Sequence, residues 1–285
     1  MTTMTPAQIL QHHDQAALWP EAPDAARGAD IANAYQTALQ VRQLRIGRGE
    51  QPRGYKIGFT NRNIWPRYNV AAPVWGTVWN TTLAFCEGDA TLALAGRCQP
   101  RIEPEAVFGM RATPPHHATL DTLFDCIEWV APGFEIVQSH APDWKFNASM
   151  AVADGALHSY LVVGRRVAVA TIATSAQAFN RALASCQLAL HKDDVKDANG
   201  AFAVTTAGGT LMERGQGSNV LDGPLLALLH FLNELRQCKG APDLMPGDVV
   251  TTGTWTDAWP VAAGETWRAE FDAPLSVLSL KFLKS

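Results

Sequence analysis

The chain has 285 residues, 47% of them apolar and only 18% charged, and a net charge of −4. This balance excludes a disordered or polyelectrolyte chain, and the length suffices to bury a core as one large domain or two small ones. No Lys/Arg block is present to neutralise a phosphate backbone, which argues against a nucleic-acid partner.

Cys86, Cys98, Cys126, Cys186 and Cys238 are scattered, odd in number and free of any C-x-x-C pair. That pattern argues against a disulfide framework or zinc ribbon and for a reducing compartment. Residues 1–11 lack a basic stretch followed by an apolar run, and no uncharged stretch approaches a membrane span. A cytoplasmic protein with no membrane partner is expected.

Thr5-Pro6 has the cap and first-turn proline of a helix start, with Ile9, Leu10 and Leu18 as its apolar face. His12 and His13 read as solvated helix residues. A second helix is expected over residues 24–45, burying Ile31, Tyr35, Leu39 and Val41. Gly54 to Thr60 reads as a strand containing Lys56. This lysine either snorkels from an edge or serves a carboxylate-rich centre. Val74 to Trp79 is a further strand.

Arg101-Ile102-Glu103-Pro104-Glu105-Ala106-Val107-Phe108 is the stretch of greatest interest. On a strand, Glu103 and Glu105 project from one face with Cβ atoms roughly 6–7 Å apart. Ile102, Pro104 and Ala106 then face the other way. Two anions side by side in a buried strand call for a positive partner, and a hard divalent cation suits oxygen ligands. The spacing alone leaves two solvated glutamates on an edge strand as an equal alternative.

His116-His117 reads as an exposed loop pair. A helix is expected over residues 119–130, ended by Pro132-Gly133. Phe134-Glu135-Ile136-Val137 is then a strand with a charge that needs a reason, whereas Glu128 can face water. Strands are expected over residues 160–163, 166–170, 188–194 and 201–206, the last two separated by a turn at 197–200. Residues 176–183 and 224–236 read as helices, the latter strongly apolar with His230 in its core face. The glycines at 208–217 lack a phosphate-loop pattern. Residues 244–254 form a turn, a strand and a glycine turn, and the groups of Thr252, Gly253 and Thr254 suit an anion. Two strands, over residues 267–271 and 277–282, close the chain. Early helices followed by strands and a few long helices give an α+β class.

The ordered set Gly-Tyr-Lys56-Ile-Gly-Phe-Thr, Arg-Ile-Glu103-Pro-Glu105-Ala-Val-Phe, Pro-Gly-Phe-Glu135-Ile-Val, Asp143-Trp-Lys-Phe, Ala153-Asp154 and Pro-Gly-Asp-Val-Val-Thr-Thr-Gly-Thr254 resembles one family. It is the 2-keto-4-pentenoate hydratase / 4-oxalocrotonate decarboxylase branch of the fumarylacetoacetate hydrolase fold. The resemblance runs from about residue 5 to residue 283. It implies a mixed β-roll core over residues 86–285, with residues 1–85 as a helical part covering the site, in one continuous unit. It also implies Mg²⁺ or Mn²⁺ held by Glu103, Glu105 and Glu135, with Lys56 as the family lysine and residues 252–254 near the substrate. The implied enzyme is a homo-oligomeric lyase acting on a small 2-oxo or 2-hydroxydienoic acid in breakdown of aromatic compounds. Ketonisation through a metal-chelated enolate precedes water addition. Decarboxylation, acylpyruvate-type C–C hydrolysis and a non-catalytic binding role stay open as alternatives. Two stretches depart from the family pattern. Residues 73–82 carry none of the acidic groups that hydratases place there, and the serine-rich run after Ala153-Asp154 is replaced by Gly155-Ala156-Leu157-His158-Ser159.

Overall fold

The structure, a computed structural model, describes residues 4–20, 30–193 and 209–284. Two helices open the chain, α1 (Pro6–Gln15) and α2 (Ile31–Gly47). Then come β1 (Pro52–Gly58), the single turn α3 (Trp65–Tyr68), β2 (Val74–Trp79), β3 (Leu83–Phe85), β4 (Asp89–Ala93) and β5 (Arg101–Met110). Next are α4 (Leu120–Phe124), β6 (Ile127–Val137), α5 (Ala148–Ala153), β7 (His158–Val163), β8 (Val167–Ala168) and α6 (Ala176–Ser185). The remainder is β9 (Gln187–Lys192), β10 (Thr210–Gln216), α7 (Pro224–Gln237), β11 (Val249–Thr251), β12 (Trp259–Pro260), β13 (Thr266–Phe271) and β14 (Leu278–Leu283).

The strands form two mixed sheets. The larger runs β2-β1-β11-β5-β6-β7-β3, with β12 beside β5 and β8 beside β6; the smaller runs β10-β9-β13-β14-β4. Period-two alternation sorts β5 as expected. Ile102, Ala106 and Phe108 enter the main core with Phe134 and Ile136 of β6 and the apolar face of α7, Leu225, Leu228, Phe231 and Leu232. The opposite face carries Glu103 and Glu105, then Val107, which joins Val78, Ala131, Leu161, Val163 and Val249. One face of the larger sheet thus makes the core, and the other holds the acids.

Thr5 caps α1 with a reciprocal capping box, as its sequence predicts. Leu18 lies beyond the helix and is exposed, while Trp19 is buried in its place. The helix expected over 119–130 is corrected. It stops at Phe124, and β6 takes over from Ile127. Pro132 and Gly133 therefore sit inside a central strand. The missing N–H is tolerated because Pro132 lies between two registers: β8 pairs at Trp129 and Val130, and β7 begins at Gly133. The strand expected at 166–170 is only Val167–Ala168, followed by a 3₁₀ turn. His230 is on the exposed side of α7 rather than in its core face. The start of the expected second helix, the turn at 197–200 and the strand at 201–206 lie outside the described residues. No helix among the described residues is long and apolar enough to cross a membrane.

Candidate metal centre

Strand pairing places the acids. Glu103 of β5 lies directly opposite Glu135 of β6, and Glu105 lies opposite Gly133. Like charges facing each other across a ladder destabilise it, so this register invites a cation. The three glutamates bring one oxygen each to within 4.8 Å of one another. Glu105 and Glu135 are fully buried, and Glu103 is half-buried.

β11 lies between β1 and β5, and Lys56 on β1 extends across it. Its Nζ sits 3.1 Å from Glu135 Oε2 and donates to Ala156 O at 3.0 Å. The edge-strand alternative for Lys56 does not apply, since the side chain is 3% exposed. Behind β5, the Gly253 N–H donates to Glu105 Oε2 at 2.6 Å. Gly253 has φ +95°, and a Cβ there would lie 1.9 Å from Thr60 Oγ1, so only glycine brings this N–H so close. Thr252 Oγ1 donates to Ala106 O and Thr254 Oγ1 to Thr256 O, so both hydroxyls are engaged with backbone. Of this segment, the Gly253 amide is what reaches the acids.

The electrostatics are those of an anion cluster short of positive charge. Burial pushes the Glu103 carboxyl up to about 7; Glu135 adds to this, and Lys56 and Arg101 oppose it. Glu105 is raised well above the usual range by burial, then by Glu135 and Glu103. Burial also disfavours charge on Glu135, but Lys56 and His158 outweigh it and hold this group low. For Lys56 burial opposes the ammonium, and the three carboxylates overcome it, so the net shift is upward. Glu105 Oε1 is a buried oxygen with no hydrogen-bond partner, and Glu135 Oε2 has only the ion pair with Lys56 and no well-aligned hydrogen bond. Carboxylate oxygens converging from three side chains, two of them with an oxygen that lacks a hydrogen bond, fit a hard divalent cation.

No protein-family model matches the chain. The 2-hydroxyhexa-2,4-dienoate hydratase of Comamonas testosteroni is 30% identical over 237 residues, covering 82% of this chain and 80% of that protein. The chain belongs to the 2-keto-4-pentenoate hydratase / 4-oxalocrotonate decarboxylase family. A 4-oxalocrotonate decarboxylase from a Pseudomonas species is 27% identical over 267 residues, 93% of each chain. Among solved structures, the 4-oxalocrotonate decarboxylase of Pseudomonas putida G7, complexed with magnesium and adipate, superposes with TM-score 0.81 at 21% identity. The match covers 99% of this chain and 100% of that one. Likeness in fold extends to a fumarylacetoacetate hydrolase family protein of Yersinia pestis at TM-score 0.54. The expected fold is borne out, and the chain is an enzyme of the lyase class. The expectation of a divalent cation agrees with the magnesium bound in the solved family member.

Two histidines that partner buried acids, one beside the triad and one in a separate cluster, escaped the sequence. His158 Nδ1 lies 2.8 Å from Glu135 Oε1, and its Nε2 lies 2.9 Å from Thr82 Oγ1. His13 is the second, and its expected solvation is corrected. Its side chain is only 11% exposed, and Nε2 donates to Asp154 Oδ1 at 2.8 Å. His140 Nδ1 donates to the same oxygen at 2.7 Å, and the two imidazoles stack at 4.6 Å. Burial lowers the pKa of His13 against the pull of Asp154, while the two histidines overcome burial to hold Asp154 low. This network ties α1 to residues 154–158. Gly155, Ala156 and Leu157 there all have positive φ, and Ala156 supplies the carbonyl that receives Lys56. Asp154→Asn replaces charge-assisted hydrogen bonds by one acceptor and a misplaced donor. It is expected to cost about 2 kcal/mol, read as a lower urea midpoint at unchanged m.

Proposed function

We propose that Glu103, Glu105 and Glu135 hold Mg²⁺ or Mn²⁺ and that the chain is a hydratase-like lyase of small 2-oxo or 2-hydroxydienoic acids. The observation that carries this reading is the convergence of three glutamates, two of them with a buried oxygen that makes no hydrogen bond, beside a buried ammonium. When bound, the cation supplies Lewis-acid polarisation to a carboxylate and keto oxygen of the substrate. Lys56 holds a proton at Nζ at the edge of the triad, where it pairs with a substrate carboxylate or moves that proton to carbon. The Gly253 amide fixes Glu105, so the ligand set is oriented before substrate arrives. The stacked rings of Phe59, Tyr68 and Phe146 pack, with Trp144, near Val137 and Leu157 and form an apolar surface beside the acids. Such a surface suits the unsaturated carbon tail and excludes water from the charged end.

Decarboxylation is the second reading, favoured by β2. That strand has no ionisable side chain, and Val74, Trp75, Val78 and Trp79 are buried. It offers no carboxylate to activate water, whereas loss of CO₂ requires none. The test is product analysis by NMR on a 2-hydroxydienoate, a 4-oxalocrotonate-type diacid and an acylpyruvate. A 4-hydroxy-2-oxo acid from the first substrate supports the hydratase reading. CO₂ from the second supports decarboxylation, and two acids from the third would replace both by C–C hydrolysis.

The supply of Lys56 and Thr82 by the first 85 residues, and of the glutamates by the rest, supports a covering part and a catalytic core in one unit. Self-association is part of the reading, supported by Phe85, which is half exposed on the short edge strand β3. So is a cytoplasmic setting, supported by five free cysteines.

A further inference from the structure

The two stretches that depart from the family pattern meet in space. His158, from the altered run after Asp154, lies between Glu135 and Thr82, from the acid-free run. The proton positions along this line follow from the partners. The Glu135 carboxylate only accepts, so Nδ1 carries the hydrogen. In the neutral ring Nε2 is then the acceptor, and among the described residues the Thr82 hydroxyl at 2.9 Å is its donor. Thr82 in turn accepts from the Trp79 N–H at 3.1 Å. The line starts in the backbone at the end of β2 and ends on Oε1 of Glu135. The Thr82 hydroxyl also lies 3.4 Å from the Trp79 carbonyl, but the imidazole at 2.9 Å is the shorter partner, so the ring is held from both nitrogens. Glu135 is also approached by Lys56 on Oε2, the oxygen left without a hydrogen bond.

We propose that His158, oriented by Thr82, is a positioning residue that fixes the Glu135 carboxylate as a ligand through Oε2. This rests on the reading of the three glutamates as the cation site. An outer imidazole that orients a ligating carboxylate restricts its rotation and so strengthens the site.

The experiment measures Mn²⁺ affinity by calorimetry on chelator-stripped full-length protein, with Glu135→Gln run in parallel. His158→Leu removes both hydrogen bonds and is expected to weaken Mn²⁺ binding about 10- to 100-fold. His158→Asn keeps a donor at the Nδ1 position but loses the contact to Thr82, so it is expected to weaken binding about 3- to 10-fold, less than His158→Leu. Thr82→Val, which leaves the imidazole in place, should cost about 3- to 10-fold, and Thr82→Ser should restore affinity. The threonine pair carries the test if His158→Leu does not fold. Wild-type affinity in both His158→Leu and Thr82→Val, with binding lost in Glu135→Gln, would overturn the positioning role. Unchanged binding in Glu135→Gln would overturn the triad reading and this inference with it.

Discussion

Glu105→Gln is expected to abolish tight Mn²⁺ binding and to lower kcat/KM by about 10³-fold, since Lewis-acid stabilisation of several kcal/mol is lost. The same substitution should stabilise the metal-free protein. Glu105 is fully buried, one of its oxygens has no donor, and two carboxylates face it. A carboxyl whose folded pKa is raised favours folding least when ionised. Metal-free wild type should therefore lose thermal stability as the pH rises from about 5 towards 8, through the range to which Glu103 is pushed. Glu105→Gln should flatten that decline, and Mg²⁺ should reverse it in wild type only. Melting curves with and without EDTA read both effects. A residue that merely completes a fold would lose stability and activity together; a ligand trades one for the other.

Lys56→Met is expected to lower kcat/KM by about 10²- to 10⁴-fold, the range for loss of a positioned proton-transfer group. Metal binding should survive this change and tighten slightly, because an ammonium beside the triad competes with a divalent cation for the same carboxylates. The separation of the two effects is the informative part. Calorimetry with Mn²⁺ and steady-state kinetics on the same preparation would show it. Activity within about 5-fold of wild type would remove Lys56 from the chemistry.

Much of the centre was legible because it lies on strands. Alternation along residues 101–108 puts Glu103 and Glu105 on one face whatever the sheet does around them. Glu135 stood out as a charge among Phe134, Ile136 and Val137. Lys56 could not be decided locally, since its burial depends on β11, which arrives about 195 residues later by the numbering. The start of β6 was misread for a physical reason. Leu120, Leu123, Phe124 and Ile127 recur at helical spacing, and a short helix does form, but the chain is then captured by ten registered pairs with β5. Tertiary pairing overrides a local period there.

The histidines were the least legible. His13 meets Asp154 across 141 positions, and nothing within α1 signals that meeting. His158 pairs with Glu135 across 23 positions, and its cue was the break in the serine-rich run. Both are hydrogen-bond partners of buried acids. They are found only once strand order is known, because a buried carboxylate recruits whichever donor the fold brings near.

The most direct test of the central claim is turnover of a 2-hydroxydienoate by wild-type enzyme stripped with EDTA, then titrated with Mg²⁺. The three-glutamate reading predicts turnover near zero after stripping. It should recover in proportion to one bound cation per chain, and no recovery should occur in Glu105→Gln. Turnover that persists undiminished in EDTA, or that Mg²⁺ restores equally in Glu105→Gln, would contradict it.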